Sequence, residues 1–158
     1  MTDALPEMKR PAMQDAAPAA GRFVRLVAPE YAGTGVYHGL YLPLDWAPGN
    51  NYPVIVEYPG NQWTDICTGR VEDCRLGFGL SGGRGLIWVV MPFVDEKAKR
   101  NALTWWGGEG GEDATARYCR DNLQRICTAY GGDPHRVILA GFSRGAIACG
   151  YIGLRDEQ

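Results

Sequence analysis

Residues Ile138 to Ala146 read Ile-Leu-Ala-Gly-Phe-Ser-Arg-Gly-Ala, an apolar run that ends in the pentad Gly141-Phe142-Ser143-Arg144-Gly145 and passes at once into small residues. A chain that leaves a buried strand, turns through one residue and starts a helix lifts that residue's side chain above the sheet. Glycines two places before and two places after Ser143 let the crossing backbones approach without a Cβ clash. The pentad alone would recur by chance. At a strand–turn–helix junction it predicts an exposed serine hydroxyl, whereas a bland reading would make Ser143 only the cap of the helix.

Outward from the pentad, the chain alternates apolar strands with helical crossings. Arg136 to Ala140 is predicted as a core strand, fed by a turn at Asp133-Pro134-His135, and Gly145 to Leu154 as a helix rich in small residues. Upstream, Asp113 to Tyr130 is predicted helical. Cys119, Leu123, Ile126, Cys127 and Tyr130 recur at three-to-four spacing, Glu112 and Asp113 sit at the amino end, and Gly131-Gly132 ends the helix. Leu86 to Phe93 and Pro53 to Tyr58 are nearly unbroken apolar runs, as expected of strands covered on both faces. Phe23 to Val27 and Val36 to Leu42 are shorter and close together, which favours an antiparallel hairpin. Between the two long apolar runs, residues 62–85 hold only a short helix around 70–78 and a glycine-rich turn. Apolar strands separated by helical crossings imply α/β layering, with a largely parallel sheet and an antiparallel edge hairpin. Residues 1–21, rich in alanine and proline, read as a disordered leader or tail, and residues 22–158 as one domain.

Composition narrows the function classes. The 158 residues carry a formal charge of -2, with 46% hydrophobic and 22% charged residues, which is the balance of a globular chain with one core. No basic excess draws nucleic acid or anionic membranes, and no run of about eighteen apolar residues is present. The stretch Ser81-Gly82-Gly83-Arg84-Gly85 lacks the spacing and the Lys-Ser/Thr of a phosphate loop. Asp95 and Glu96 are adjacent acids that point apart, and five cysteines without a Cys-x-x-Cys pair do not form a zinc set, so no metal and no cofactor is expected. Cys67 and Cys74 lie in one loop, where a local disulfide is one option. Cys119 and Cys127, about 12 Å apart along a helix, are too distant to bridge. The cysteines lean towards export and the lack of an apolar amino-terminal core leans the other way, so the compartment is open.

The phrase Gly131 to Gly145, the block Pro53 to Asn61 and the run Leu86 to Phe93 together resemble the amino-terminal half of an α/β-hydrolase. The likeness is to the esterase branch that includes polyhydroxybutyrate depolymerase-like and feruloyl or acetylxylan esterase-like enzymes. The resemblance implies a three-layer sandwich, incomplete at its carboxyl end. It implies Ser143 as nucleophile, and the backbone N–H of Arg144 and of Asn61, or else Gln62, as oxyanion donors. Trp63, Trp105 and Trp106 are candidates for a substrate wall, because the loops after the third and fourth strands run towards the serine. The Arg144 side chain is expected either near an anionic substrate or paired with Glu57 or Asp65.

Serine needs a base, because its own hydroxyl is a poor nucleophile at neutral pH. In the family the acid and the histidine follow the serine, yet here only Asp156 and Glu157 follow Ser143 as acids and no histidine does. His38 falls on an early strand, His135 falls at a turn away from the serine, and Pro59-Gly60 stands where the family has His-Gly. The expectation is therefore a serine-dependent carboxylic ester hydrolase represented by a fragment, acting on a small-molecule or polymer ester. The alternatives are a non-catalytic binding protein on the same scaffold and a serine peptidase of the same fold. A missing half would leave a sheet edge open to a homodimer or a complementary chain.

Overall fold

The computed structural model describes residues 9–155. The elements in chain order are β1 (Phe23–Leu26), β2 (His38–Tyr41), β3 (Tyr52–Tyr58), α1 (Leu76–Ser81), β4 (Ile87–Val90), β5 (Val94–Asp95), β6 (Arg100–Asn101), α2 (Gly111–Tyr130), β7 (Gly132–Gly141) and α3 (Arg144–Arg155). Five strands form one sheet in the order β1-β2-β4-β3-β7, and β5 and β6 make a separate small hairpin. β3 runs parallel to both β4 and β7, with Ile55 opposite Trp88 on one side and Ile138 on the other. β2 is antiparallel to β1 and also to β4, so the sheet is an even mix of parallel and antiparallel pairings rather than largely parallel.

The unbroken apolar runs sit in the middle of the sheet because both of their faces are covered. Val54, Val56 and Tyr58 of β3 and Ile87 and Val89 of β4 join Tyr118 and Ile126 of α2 and Ala148 and Ile152 of α3 in the larger core. Their strand neighbours Ile55, Trp88 and Val90 point the other way, into a second core with Phe23, Phe78 and Cys74. This is the period of two acting on both sides of one sheet. Helix α2 ends as its sequence predicts. Gly131 takes φ 75 and its N–H returns to the Cys127 carbonyl at 3.1 Å.

Three expectations change. Asp133-Pro134-His135 is not a separate turn but the start of β7, which pairs with β3 again at Gly132 after an irregularity. Residues 9–21 of the expected leader are not loose. The Gln14 N–H donates to Phe23 O and its carbonyl accepts from Arg25 N–H, both at 2.9 Å, so the segment lies along the outer side of β1. Backbone pairing needs no apolar pattern, which is why composition alone missed it. The first eight residues of that leader, and Asp156 and Glu157, lie outside the described residues. Finally, Cys67 and Cys74 form no disulfide: both are free thiols, with Cys74 buried against the second core and Cys67 only half-buried.

Candidate functional site

The parallel strands β3, β4 and β7 end on the same side of the sheet, and the serine turn stands there. β7 stops at Gly141, α3 begins at Arg144, and only Phe142 and Ser143 lie between. Ser143 has φ 56, a left-handed conformation that costs a side-chain-bearing residue energy unless its surroundings enforce it. The enforcement is visible at the two glycines. A Cβ on Gly141 would lie 2.3 Å from the Gly145 carbonyl carbon, and one on Gly145 would lie 2.2 Å from the Tyr58 carbonyl oxygen. No larger residue fits between strand, helix and the end of β3. The Ser143 carbonyl accepts from Ala146 and Ile147 N–H in the first turn of α3, while the side chain is exposed. Among the described residues its hydroxyl makes no hydrogen bond, so it is not serving as a cap.

Arg144 lies where the sequence did not put it. Its side chain is 1% exposed, and it meets neither Glu57 nor Asp65. Nη1 donates to the carbonyls of Trp105 at 2.7 Å and Ala102 at 3.3 Å, while Nη2 donates to Gly60 at 2.9 Å and Gly69 at 3.5 Å. The guanidinium carbon sits 3.8 Å from the centroid of the Phe93 ring, a cation–π stack. Burial without a carboxylate partner pulls its pKa down, to about 10, so it remains a cation at neutral pH. Carbonyl dipoles and an aromatic face therefore replace a counter-ion.

The loop after β3 passes directly over the serine turn. A Cβ on Gly60 would be 3.3 Å from the Phe142 carbonyl oxygen and 3.9 Å from Ser143 Cβ. Of the two donors expected from that loop, the Gln62 N–H is spent on the Leu103 carbonyl at 2.8 Å. The Asn61 N–H has no acceptor among the described residues, and the Asn61 side chain accepts from Trp105 N–H at 2.7 Å. A cleft of about 520 Å³ opens beside the turn, walled by Phe142, Gly60, Asn61, Ile66 and Cys67 among others.

The three tryptophans separate. Trp106 packs edge-on to Phe93 at 5.1 Å and against Tyr151 at 5.3 Å, so it belongs to the core margin and not to a substrate wall. Trp63 is 85% exposed and walls neither this cleft nor the one that Trp105 lines. Trp105 lines a second, more polar cleft with Arg70, Glu72 and Asp95. Phe142 and Ile66, which the sequence reading passed over, are exposed apolar residues of the first cleft, and Phe142 adjoins the serine. Their signal was the variable position of the pentad and an isolated isoleucine in a polar loop, and neither is distinctive.

No hydrogen bond joins either histidine to Ser143. His38 is 3% exposed and shares a 2.9 Å hydrogen bond between Nδ1 and the Tyr118 hydroxyl of α2. Burial holds its pKa down, at about 4, and the ring is neutral at physiological pH. His135 is exposed near the start of β7, roughly 20 Å along the strand from Gly141 at the usual rise per residue. Cys74, which lines the same cleft, is a poor nucleophile, because burial and the neighbouring Glu57 carboxylate hold its thiol well above its ordinary pKa. Among the described residues no group of three or more His, Cys, Asp or Glu side chains could hold a metal ion. No helix among the described residues is long and apolar enough to cross a membrane.

No protein-family model matches the chain, and no curated protein matches it in sequence. Solved structures do. One, from Bacteroides ovatus and assigned as a dipeptidyl aminopeptidase IV, superimposes with a TM-score of 0.60 at 17% identity, over 85% of this chain and 19% of its own. Another, an alpha-beta serine hydrolase homologue from Coxiella burnetii, has a TM-score of 0.47 at 14% identity, over 90% of this chain and 61% of its own. The chain thus spans less than two thirds of the length of either structure. A mixed sheet flanked by helices, superimposing at this level on the first of these, is an α/β-hydrolase-like fold.

Proposed function

We infer that this chain carries the nucleophile-bearing part of a serine-dependent carboxylic ester hydrolase, with Ser143 in a nucleophile elbow. The observation that carries this reading is Ser143 itself. It is exposed at φ 56 between a parallel strand and a helix, and both flanking glycines are sterically obligatory.

In this reading Ser143 Oγ attacks the ester carbonyl carbon while a base takes its proton. The carbonyl π pair moves onto oxygen, and the resulting oxyanion lies between the Arg144 N–H, at the unspent start of α3, and the Asn61 N–H. Collapse expels the alcohol, which recovers the proton, and water releases the acid in a second round. Each oxyanion donor is worth about 2.7–4 kcal/mol in such sites. The base comes from neither described histidine. The open side of β7 and α3, where Ile138, Phe142 and Ile147 are exposed, is the surface on which further polypeptide would bring it. That polypeptide is either more of the same protein or a second chain. The cleft beside Phe142 suits an ester with an apolar group, small or polymeric.

The reading is tested with a fluorophosphonate, from which Ser143 Oγ displaces fluoride at phosphorus with loss of its proton. Labelling of the full-length gene product that disappears in Ser143→Ala supports it. Folded protein that never labels would favour a binding scaffold without activity, the alternative suggested by the remote histidines.

A further inference from the structure

Around the serine turn a ring of hydrogen bonds closes on itself. Arg144 Nη2 donates to Gly60 O; the next residue, Asn61, accepts through Oδ1 from Trp105 N–H; and Trp105 O accepts from Arg144 Nη1. Each distance lies between 2.7 and 2.9 Å. The ring includes one whole peptide unit, that between Gly60 and Asn61. A trans peptide is planar, with its C=O and N–H pointing in opposite directions, and the described residues contain no cis bond. Fixing the Gly60 carbonyl on the guanidinium therefore fixes the Asn61 N–H away from it. The same loop lies against Phe142 and Ser143 and borders the cleft.

We propose that the Arg144 side chain is a positioning residue, which sets the Gly60–Asn61 peptide so that the Asn61 N–H faces an oxyanion formed on Ser143. One residue then serves the site twice: its backbone N–H is one donor and its side chain aims the other. The proposal rests on the esterase reading for what the donor does, but not for how the peptide is held. Several features suit the side chain to this task. It is buried, so water does not compete for the carbonyls; it has no carboxylate to draw it elsewhere; and Phe93 fixes its plane. A guanidinium can hold two carbonyls on separate loops at fixed angles, which an ammonium cannot.

Two measurements on Arg144→Met and Arg144→Lys test it. Backbone N–H residual dipolar couplings report bond direction without any need for activity. The Asn61 and Trp105 vectors should change in both variants, while those of β3 and β4 stay as in the unsubstituted protein. If Arg144→Met does not fold, Arg144→Lys, which keeps the charge, stands alone in both measurements. With a fluorophosphonate series, the maximal labelling rate of Ser143 should fall about 100-fold, the loss seen when one oxyanion donor is removed, with little change in the concentration giving half the maximal rate. An unmoved Asn61 vector in a folded variant overturns the proposal whether or not the protein labels. A moved vector with undiminished labelling overturns the oxyanion role. A moved vector in a protein that never labels leaves Arg144 as the holder of the loop and removes the esterase reading instead.

Discussion

Glu57 and Arg144 are two buried side chains of opposite charge, and neither has an ion partner. Glu57, 2% exposed on β3, accepts from the N–H groups of Arg75, Leu76 and Gly77 at 3.0–3.1 Å and from the Trp88 indole at 2.8 Å. Arg144 instead donates to carbonyls after β3 and after β4. Both charges are met by backbone dipoles, yet the reach of the bonds differs. Those of Glu57 go chiefly to consecutive residues at the start of α1 and fasten that helix to the sheet. Those of Arg144 go to residues up to 84 positions away in sequence and gather the loops after β3 and β6, which the Gln62 N–H to Leu103 carbonyl bond and the Trp105 N–H to Asn61 Oδ1 bond also join. A buried charge answered mainly by one helix start fastens that helix; one answered from several loops holds those loops together.

That contrast can be broken at several levels. Glu57→Ala should have the largest effect, because it leaves the Gly77 N–H and the Trp88 indole N–H buried without acceptors. A loss of about 3–5 kcal/mol is expected in urea denaturation, at about 1–3 kcal/mol for each stranded group with packing loss added. A loss below 1 kcal/mol would mean that α1 is held by its apolar side chains alone.

His38 is a third buried polar group, and it titrates. Its folded-state pKa, about 4, lies below the ordinary 6.5. The neutral ring therefore contributes fully above pH 6.5, and that contribution is lost as pH falls from 6.5 towards 4. Up to about 3 kcal/mol should disappear over that window. His38→Gln should flatten this part of the stability–pH profile; an unchanged slope would place the acid sensitivity elsewhere.

Arg144→Met should cost less overall, about 1–2 kcal/mol, because methionine covers Phe93 and, once the guanidinium is gone, the carbonyls of Gly60 and Trp105, which are only partly buried, can turn to water. A cost equal to that of Glu57→Ala would erase the distinction between the two. Trp105→Ala should change stability by no more than about 0.5 kcal/mol, as at other exposed positions. The bonds of Trp105 in the ring run through its backbone N–H and carbonyl, not its indole.

Much of this arrangement was legible in the residues. The apolar runs at Pro53–Tyr58 and Leu86–Phe93 became the covered centre of the sheet, and the three-to-four pattern after Asp113 became α2. Glycine spacing around Ser143 anticipated the tight turn, because a steric demand at two positions leaves few other residues possible. The environment of Arg144 was not legible. A charged residue suggests an ion pair, and carbonyls carry no sequence identity. Adjacent Trp105 and Trp106 looked alike, yet the chain turns through φ 42 at Trp105 and sends only its neighbour inward. Nor could strand order show that β2 would pair antiparallel with β4, since register depends on which edge the hairpin docks against.

The open side of β7 carries a thermodynamic consequence. The other end of the sheet is covered at β1 by residues around Gln14, whereas among the described residues β7 pairs only with β3. Ile138, Phe142, Ile147 and Leu154 are exposed beside it. Whatever binds that face binds the folded chain and not the unfolded one, so it shifts the folding equilibrium by mass action. If the binder is another copy, Tm should rise with protein concentration. Ile138→Lys would then lower Tm most in the concentrated sample and scarcely at all in the dilute one, making the melting curve itself a gauge of association.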